Sequence, residues 1–315
     1  MNLKTTCLAL WLGVSLLASS LAVQAEDAPE TIRFGFQKYG TLTLLKERQI
    51  LEKHFADQKI NITWTEFPAG PQMLEALNVG SIDFGTVGET PPVFAQAADA
   101  ALYYVAHEPA APKGEALIVP KDSPLQTVKD LKGKRVALNK GSNVHYLLVK
   151  ALEEAGLTIK DIEPVYLPPA DARAAFEGNK VDAWVIWDPF LAAAQSALQA
   201  RVLRDGEGLV KNYQYYIAAK NFADHYPSTI KTIVENLQTL DQWTTENFTE
   251  AANILAPAIS QPQEVVEVAI KRGGYGTQFL TPEIIEYQQK IADTFSDLAL
   301  IPKKLDVKSV VWQPK

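Results

Sequence analysis

The chain has 315 residues, 47% of them hydrophobic and 21% charged, with a formal net charge of −7. That acidic balance argues against a nucleic-acid partner, whose binders present basic surface; it leaves room for a small anion, which local backbone N–H groups attract whatever the global charge. The single cysteine, Cys7, lies in the leading apolar segment, so disulfides, thiolate metal sites and a cysteine nucleophile are excluded from everything after it.

Lys4 is the only charge before Glu26, and an apolar run over 8–23 ends in the small-residue triplet Val23-Gln24-Ala25. A basic start, an apolar middle and an A-x-A-like exit read as a removable leader over residues 1–25, cleaved near Ala25, so the mature chain is expected to be secreted, and a freely soluble one suits an enclosed periplasm. A retained anchor is the alternative; the small-residue exit and the lack of a second long apolar run weigh against it. Cys7 sits too early for a lipidation site at that boundary. The remainder is long enough for two lobes of roughly 100–150 residues each.

Strand and helix then alternate, which predicts α/β architecture with mostly parallel sheets. Ile32, Phe34 and Phe36 alternate with polar or small residues as a first strand, and Leu44, Leu51 and Phe55 mark one face of a following helix. Strands are expected over 62–66, 82–87 and 101–106, with a short helix opened by Pro71. In a second block, strands are expected over 117–119, at the passage between lobes, and over 135–138, 162–167 and 181–186, with a helix around 172–176. The plainest helix carries Val144, Leu147, Leu148, Ala151, Leu152 and Ala155 at i, i+3, i+4, i+7, i+8 and i+11, with Ser142 or Asn143 as N-cap and Gly156 as stop. From Tyr226 onward strand signals vanish, and helices are expected over about 227–250, 262–272 and 281–298, packing back on the first lobe.

Two stretches echo each other. Gly80-Ser81-Ile82-Asp83 leads through an apolar strand to Thr90-Pro91, and Gly178-Asn179-Lys180-Val181-Asp182 leads to Asp188-Pro189. Each describes a strand that runs into a capped helix N-terminus with proline where no N–H is needed. Ligands of open α/β sheets bind beyond such strand ends, so two of them, one per lobe, suggest a ligand held between lobes; chance repetition of capped turns is the alternative.

A buried oxyanion needs several donors, and helix N-termini supply fixed N–H groups with a favourable dipole. Three candidate clusters follow strands: Gly88-Glu89-Thr90, Gly141-Ser142-Asn143 and Trp187-Asp188-Pro189, with Gln37 as a fourth contributor past the first strand. Each also reads as simple capping. Glu89 and Asp188 would repel an anion unless paired, with Lys38, Lys140 and Arg173 as the cations within view, and Asp188 reads more safely as a cap or hinge residue. Trp187, at a strand end, suits a wall against an aliphatic tail; Trp184, mid-strand, suits the core; Tyr39, Tyr215 and Tyr216 suit either the tail or the second crossing. The four histidines are scattered without a metal-binding spacing, no Gly-x-Ser-x-Gly elbow exists, and Arg272-Gly273-Gly274-Tyr275-Gly276 follows a helix and reads as a turn. No cofactor or metal is called for, and no catalysis.

Several runs then resemble the sulfonate, taurine and nitrate branch of periplasmic solute-binding proteins, above all its aliphatic-sulfonate-binding members. They are Ile32-Arg33-Phe34-Gly35-Phe36-Gln37, Asp83-Phe84-Gly85, Leu131-Lys132-Gly133-Lys134-Arg135-Val136-Ala137, Gly141-Ser142-Asn143-Val144-His145, Leu152-Glu153-Glu154-Ala155-Gly156-Leu157 and Trp187-Asp188-Pro189-Phe190. The resemblance implies a type II periplasmic-binding-protein fold: two α/β lobes, residues 26–115 with 218–315 and residues 116–217, joined by two interlobe crossings near Leu117 and Tyr215. It implies an alkanesulfonate ligand, an ABC permease with its ATPase as partners, and a monomer. The ligand contacts it implies are Gln37, Gly88, Glu89, Thr90, Ser142, Asn143, Trp187 and Asp188. Taurine, nitrate or another small anion is the neighbouring alternative, and a periplasmic enzyme on the same fold is the alternative from another class.

Overall fold

The computed structural model describes residues 28–313; the expected leader and its cleavage point lie outside the described residues. The first block runs β1 (Thr31–Phe36), α1 (Gly40–Glu47), α2 (Ile50–His54), β2 (Asn61–Glu66), α3 (Gly70–Asn78), β3 (Phe84–Gly88), α4 (Pro91–Ala97) and β4 (Leu102–His107). The second runs β5 (Glu115–Val119), β6 (Arg135–Leu138), α5 (Asn143–Glu154), β7 (Glu163–Tyr166), α6 (Pro169–Glu177), β8 (Ala183–Trp187), α7 (Phe190–Leu198) and β9 (Arg201–Asp205). The chain closes with β10 (Gln214–Ala219), α8 (Lys220–His225), α9 (Pro227–Glu246), α10 (Phe248–Ile259), α11 (Gln263–Arg272), β11 (Gln278–Phe279) and α12 (Pro282–Asp297).

These strands form two sheets. One is six-stranded in the order β11-β4-β10-β3-β1-β2, and the other five-stranded in the order β7-β6-β8-β5-β9. In each, the βαβ units pair in parallel: β1 with β2 and β3, β6 with β7 and β8. Returning strands pair antiparallel, β10 between β3 and β4, and β5 between β8 and β9. The inner strands β3, β5 and β8 are buried along their whole length, as strands covered on both faces must be. Trp184 is 1% exposed, in the core as its mid-strand position predicts.

The backbone passes between sheets over residues 108–114 and 206–213. This moves the second crossing relative to a boundary at 217/218, which would cut β10. Tyr215, Tyr216 and Ile217 instead pair with both β3 and β4 and are fully buried in the six-stranded sheet. Residues 117–119 belong to β5 inside the second sheet and are not a free passage. Strand partners a hundred residues away decide this, and no local pattern reports them.

Local predictions fare better where they rest on periodicity. Helix α5 buries Val144, Leu147, Leu148, Ala151 and Leu152 completely, each Val or Leu contributing about 1.5–3 kcal/mol by burial. Gly156 follows at φ +72°, the left-handed stop that glycine takes at least cost. The single helix expected to carry Leu44, Leu51 and Phe55 breaks at Gln49 (φ 52°). The expected helix over 227–250 ends at Glu246, where Asn247 leaves helical angles and its Nδ2 donates to Trp243 O at 2.7 Å. A separate helix, α10, follows, and the two-residue β11 interrupts the helical tail.

The echo between lobes has a structural cause. Asp83 accepts from Arg33 N and Nε, both at 2.9 Å, and Asp182 accepts from Arg135 N at 2.8 Å and Nε at 3.3 Å. In each lobe an Asp just before the central strand pins the start of its parallel neighbour.

Candidate ligand-binding site

A cavity of about 80 Å³ lies between the two sheets. Its wall is made where strands end: Gln37 past β1, Gly88 closing β3, Glu108 past β4 and Trp187 closing β8. Gly40, Gly70 and Asn143 bring the first residues of α1, α3 and α5 to the same space. The first N–H groups of a helix have no partner within it, and their dipoles add, so three N-termini from two lobes favour an anion here.

Of the residues predicted for the site, Gln37, Gly88, Ser142, Asn143, Trp187 and Asp188 meet at this cavity. Glu89, Thr90 and Gly141 do not line it; Glu89 and Thr90 are 0% exposed. Two of the predicted amide clusters are also poorer in donors than the pattern suggests. Helix α4 opens on Pro91-Pro92, which carry no N–H. At α7, Asp188 N is committed to Gly114 O at 2.8 Å, and the Asp188 carboxylate caps the helix by accepting from Ala192 N at 2.9 Å. The cap reading of Asp188 therefore describes its geometry.

The polar side chains are largely bonded to one another. Gln37 Nε2 donates to Thr86 O (3.1 Å) and Tyr39 Oη (3.3 Å), and Tyr39 Oη donates to Gln214 Oε1 (2.8 Å). Gln214 Nε2 and Asn143 Nδ2 both donate to Asn212 Oδ1, at 3.3 and 3.2 Å. Asn143 Nδ2 also donates to Glu115, and Ser142 Oγ donates to Asn139 O at 2.7 Å. This relay joins lobe one to lobe two through the second crossing. It leaves backbone amides as the main donors open to a ligand.

The electrostatics are unusual for an anion site. Burial pushes the Glu89 carboxyl up to about 8, although it accepts from Tyr213 N at 3.0 Å. Burial likewise raises Glu108 to about 8 and Asp188 to about 6, the latter opposed by Arg272. The cations expected for these acids are occupied elsewhere: Lys38 pairs with Glu66, Arg173 with Glu177, and Lys140 lies over the Tyr166 ring. Asp188 pairs instead with Arg272, whose Nη1 is 3.4 Å away and whose Nη2 donates to Gln195 Oε1 at 2.8 Å. Arg272 comes from α11 of lobe one, and both its partners lie in lobe two.

Arg272, Gly273, Gly274 and Tyr275 all line the cavity, so the glycine-rich turn set aside in the sequence belongs to the wall. Its signal was present, but a turn after a helix does not say where it docks. A Cβ on Gly274 would stand 2.2 Å from Pro109 O, so this turn packs on the first crossing. Gly40 and Gly70 each follow a strand and open a helix, and no side chain there marks them in the sequence as part of the wall. Leu255, Ile259, Val266 and Ala269, from α10 and α11, supply an apolar side to the cavity, with Trp187 at 6% exposure among its residues.

Known proteins share this fold. The family model described as NMT1/THI5 like matches residues 52–251. The crystal structure of the periplasmic aliphatic sulphonate binding protein SsuA from Escherichia coli is 44% identical and covers 91% of this chain and 94% of that one, with a TM-score of 0.82. The alkanesulfonate-binding protein SsuA from Xanthomonas axonopodis pv. citri, bound to MOPS, is 42% identical and covers 91% and 99%, with a TM-score of 0.87. The taurine-binding periplasmic protein of Escherichia coli (strain K12) is 26% identical over 179 residues, 56% of this chain and 55% of that protein. Among the described residues no helix is long and apolar enough to cross a membrane.

Proposed function

Since the chain belongs to the NMT1/THI5-like family, among its aliphatic sulfonate-binding members with the type II periplasmic-binding-protein fold, we propose that it captures alkanesulfonates between its lobes and hands them to an ABC permease and its ATPase. The observation that carries this reading is the convergence of the α1, α3 and α5 N-termini, from two lobes, on one cavity with an apolar side. The sulfonate head would meet those amides, and the tail would lie toward Trp187 and the α10–α11 wall. Gln37, Gly88, Ser142, Asn143 and Asp188 shape the space around the head, next in sequence to the buried Glu89 and Thr90 and to Gly141.

Capture needs no covalent step. A sulfonate bridging both lobes favours the closed arrangement because only that arrangement offers it both sets of amides. Micromolar affinity corresponds to about −8 kcal/mol, within reach of several charge-assisted hydrogen bonds. The protein works as a monomer in the periplasm, freed of its leader.

A thermal-shift and calorimetric screen of butanesulfonate, taurine, nitrate, sulfate and bicarbonate tests the reading, since ligands of the folded form raise the melting point. Butanesulfonate should bind 1:1 and most tightly. Preference for taurine or nitrate would move the chain to the neighbouring ligand class. Conversion of butanesulfonate, seen by mass spectrometry, would mark an enzyme.

A further inference from the structure

One cavity residue is used neither by the amide cradle nor by the interlobe relay. Glu108 follows β4 at the first crossing, lines the cavity, and is 6% exposed. It makes no ion pair among the described residues. Its neighbours come from several elements and none brings a positive charge. Tyr216 of β10 donates its hydroxyl to Glu108 Oε1 at 2.6 Å. Asp241 of α9 adds a negative field, and the aromatic hydroxyls of Tyr39 and Tyr275 lie close enough to feel the Glu108 charge. Thr41 of α1 stands within reach, its hydroxyl donated to Asp241 Oδ1 at 2.5 Å. His107, the last residue of β4, turns Nδ1 to the Glu108 carbonyl.

Asp241 takes the ionised role in this group. Besides Thr41 it accepts from Gly276 N (3.1 Å), Thr277 N (2.7 Å) and Thr277 Oγ1 (2.6 Å); burial raises Asp241 too, but these donors oppose the rise and favour its carboxylate. Glu108, with one tyrosine donor and a charged neighbour, is the member of the pair that keeps its proton; its rise to about 8 agrees with that division. A carboxylate at this wall would oppose any anion brought to the amides of α1, α3 and α5, whereas a carboxylic acid there carries a donor.

We propose that Glu108 is a specificity-determining residue of the cleft: as a carboxylic acid it gives a hydrogen bond to the captured oxyanion, and as a carboxylate it excludes one. The inference rests on the oxyanion reading of the cleft. Its balance is simple. Above neutral pH, the unliganded carboxylate, one proton from water and one sulfonate give the acid with the sulfonate bound, so capture takes up a proton. The sulfonate itself does not titrate in this range, so any such uptake belongs to the protein.

The test is calorimetry with butanesulfonate between pH 6 and 9.5, in phosphate and borate buffers free of sulfonate groups. The wild type should bind with nearly constant affinity at the acid end, and its Kd should then rise by up to about tenfold per pH unit at the alkaline end. Paired buffers of different ionisation enthalpy should report uptake of up to one proton there. Glu108→Gln, a neutral donor of similar shape, should bind within about threefold of the wild type at pH 6 and lose both the slope and the uptake. A flat wild-type profile without proton uptake overturns the proposal; so does a slope that persists in Glu108→Gln, or a folded Glu108→Gln that no longer binds at pH 6. Failure of the wild type to bind butanesulfonate at any pH would instead defeat the functional reading.

Discussion

Gly88 and Asn143 meet across the cleft so closely that a Cβ on Gly88 would stand 2.8 Å from Asn143 Cβ and 3.0 Å from Cγ. Gly88 ends β3 in lobe one and Asn143 opens α5 in lobe two, so a single methyl group wedges the lobes apart. Overpacking of this kind costs about 1–3 kcal/mol, here mostly in the closed form. Gly88→Ala should therefore weaken butanesulfonate binding by roughly 10- to 100-fold while thermal unfolding changes little. Calorimetry checks the first and a melting curve the second; an unchanged Kd would show that this contact is not part of the bound form.

The Arg272–Asp188 pair is a second clasp between lobes. Removing the guanidinium leaves Asp188, with 9% side-chain exposure, without a countercharge, and also breaks the bond to Gln195. Loss of a buried pair can cost several kcal/mol; a quarter of the Arg272 side chain is exposed, which reduces the effect. Arg272→Gln should weaken sulfonate binding by about tenfold at pH 7.5, and the double variant Arg272→Gln with Asp188→Asn should recover part of it. No recovery would place the role of Arg272 outside the pair.

Stability should fall as pH rises. Glu89 and Glu108 have an ordinary value of 4.5 and are raised to about 8 by burial, and Asp188 goes from 3.8 to about 6. A carboxyl raised on folding binds its proton more tightly in the folded chain, so its contribution is complete below the unfolded value and is lost as pH climbs through the folded one. The melting temperature of the unliganded protein should therefore drop from pH 5 to pH 8.5 by several degrees. Glu89→Gln, which keeps an acceptor for Tyr213 N, should flatten that drop. A melting temperature that rises over this range would contradict the assigned burial of these acids.

The twin pairs at the strand starts should differ in worth. Asp83 is 7% exposed on its side chain and Asp182 34%. Asp83→Ala strips Arg33 N of its acceptor in a part-buried bond and, since the Arg33 side chain is 45% exposed, should cost about 1–2 kcal/mol. Asp182→Ala, in reach of water, should cost clearly less. Urea unfolding of the two variants decides the order, and equal losses would mean that exposure does not govern these pairs.

What could be read from residue order alone was local or collinear. The α/β alternation, helix α5 with its glycine stop, the recurring Asp before a central strand and the family motifs all depend on spacings of a few residues, where period and capping chemistry act directly. What needed the folded chain was the company each side chain keeps. Asp188 finds Arg272 84 positions away, Tyr216 reaches Glu108 across 108, and Thr41 bonds Asp241 across 200. Such partners decide which donors remain open, which acids keep their protons and which glycine turn forms a wall. Hydrogen bonds and desolvation act only over a few ångströms, and only the tertiary fold brings those atoms within that distance.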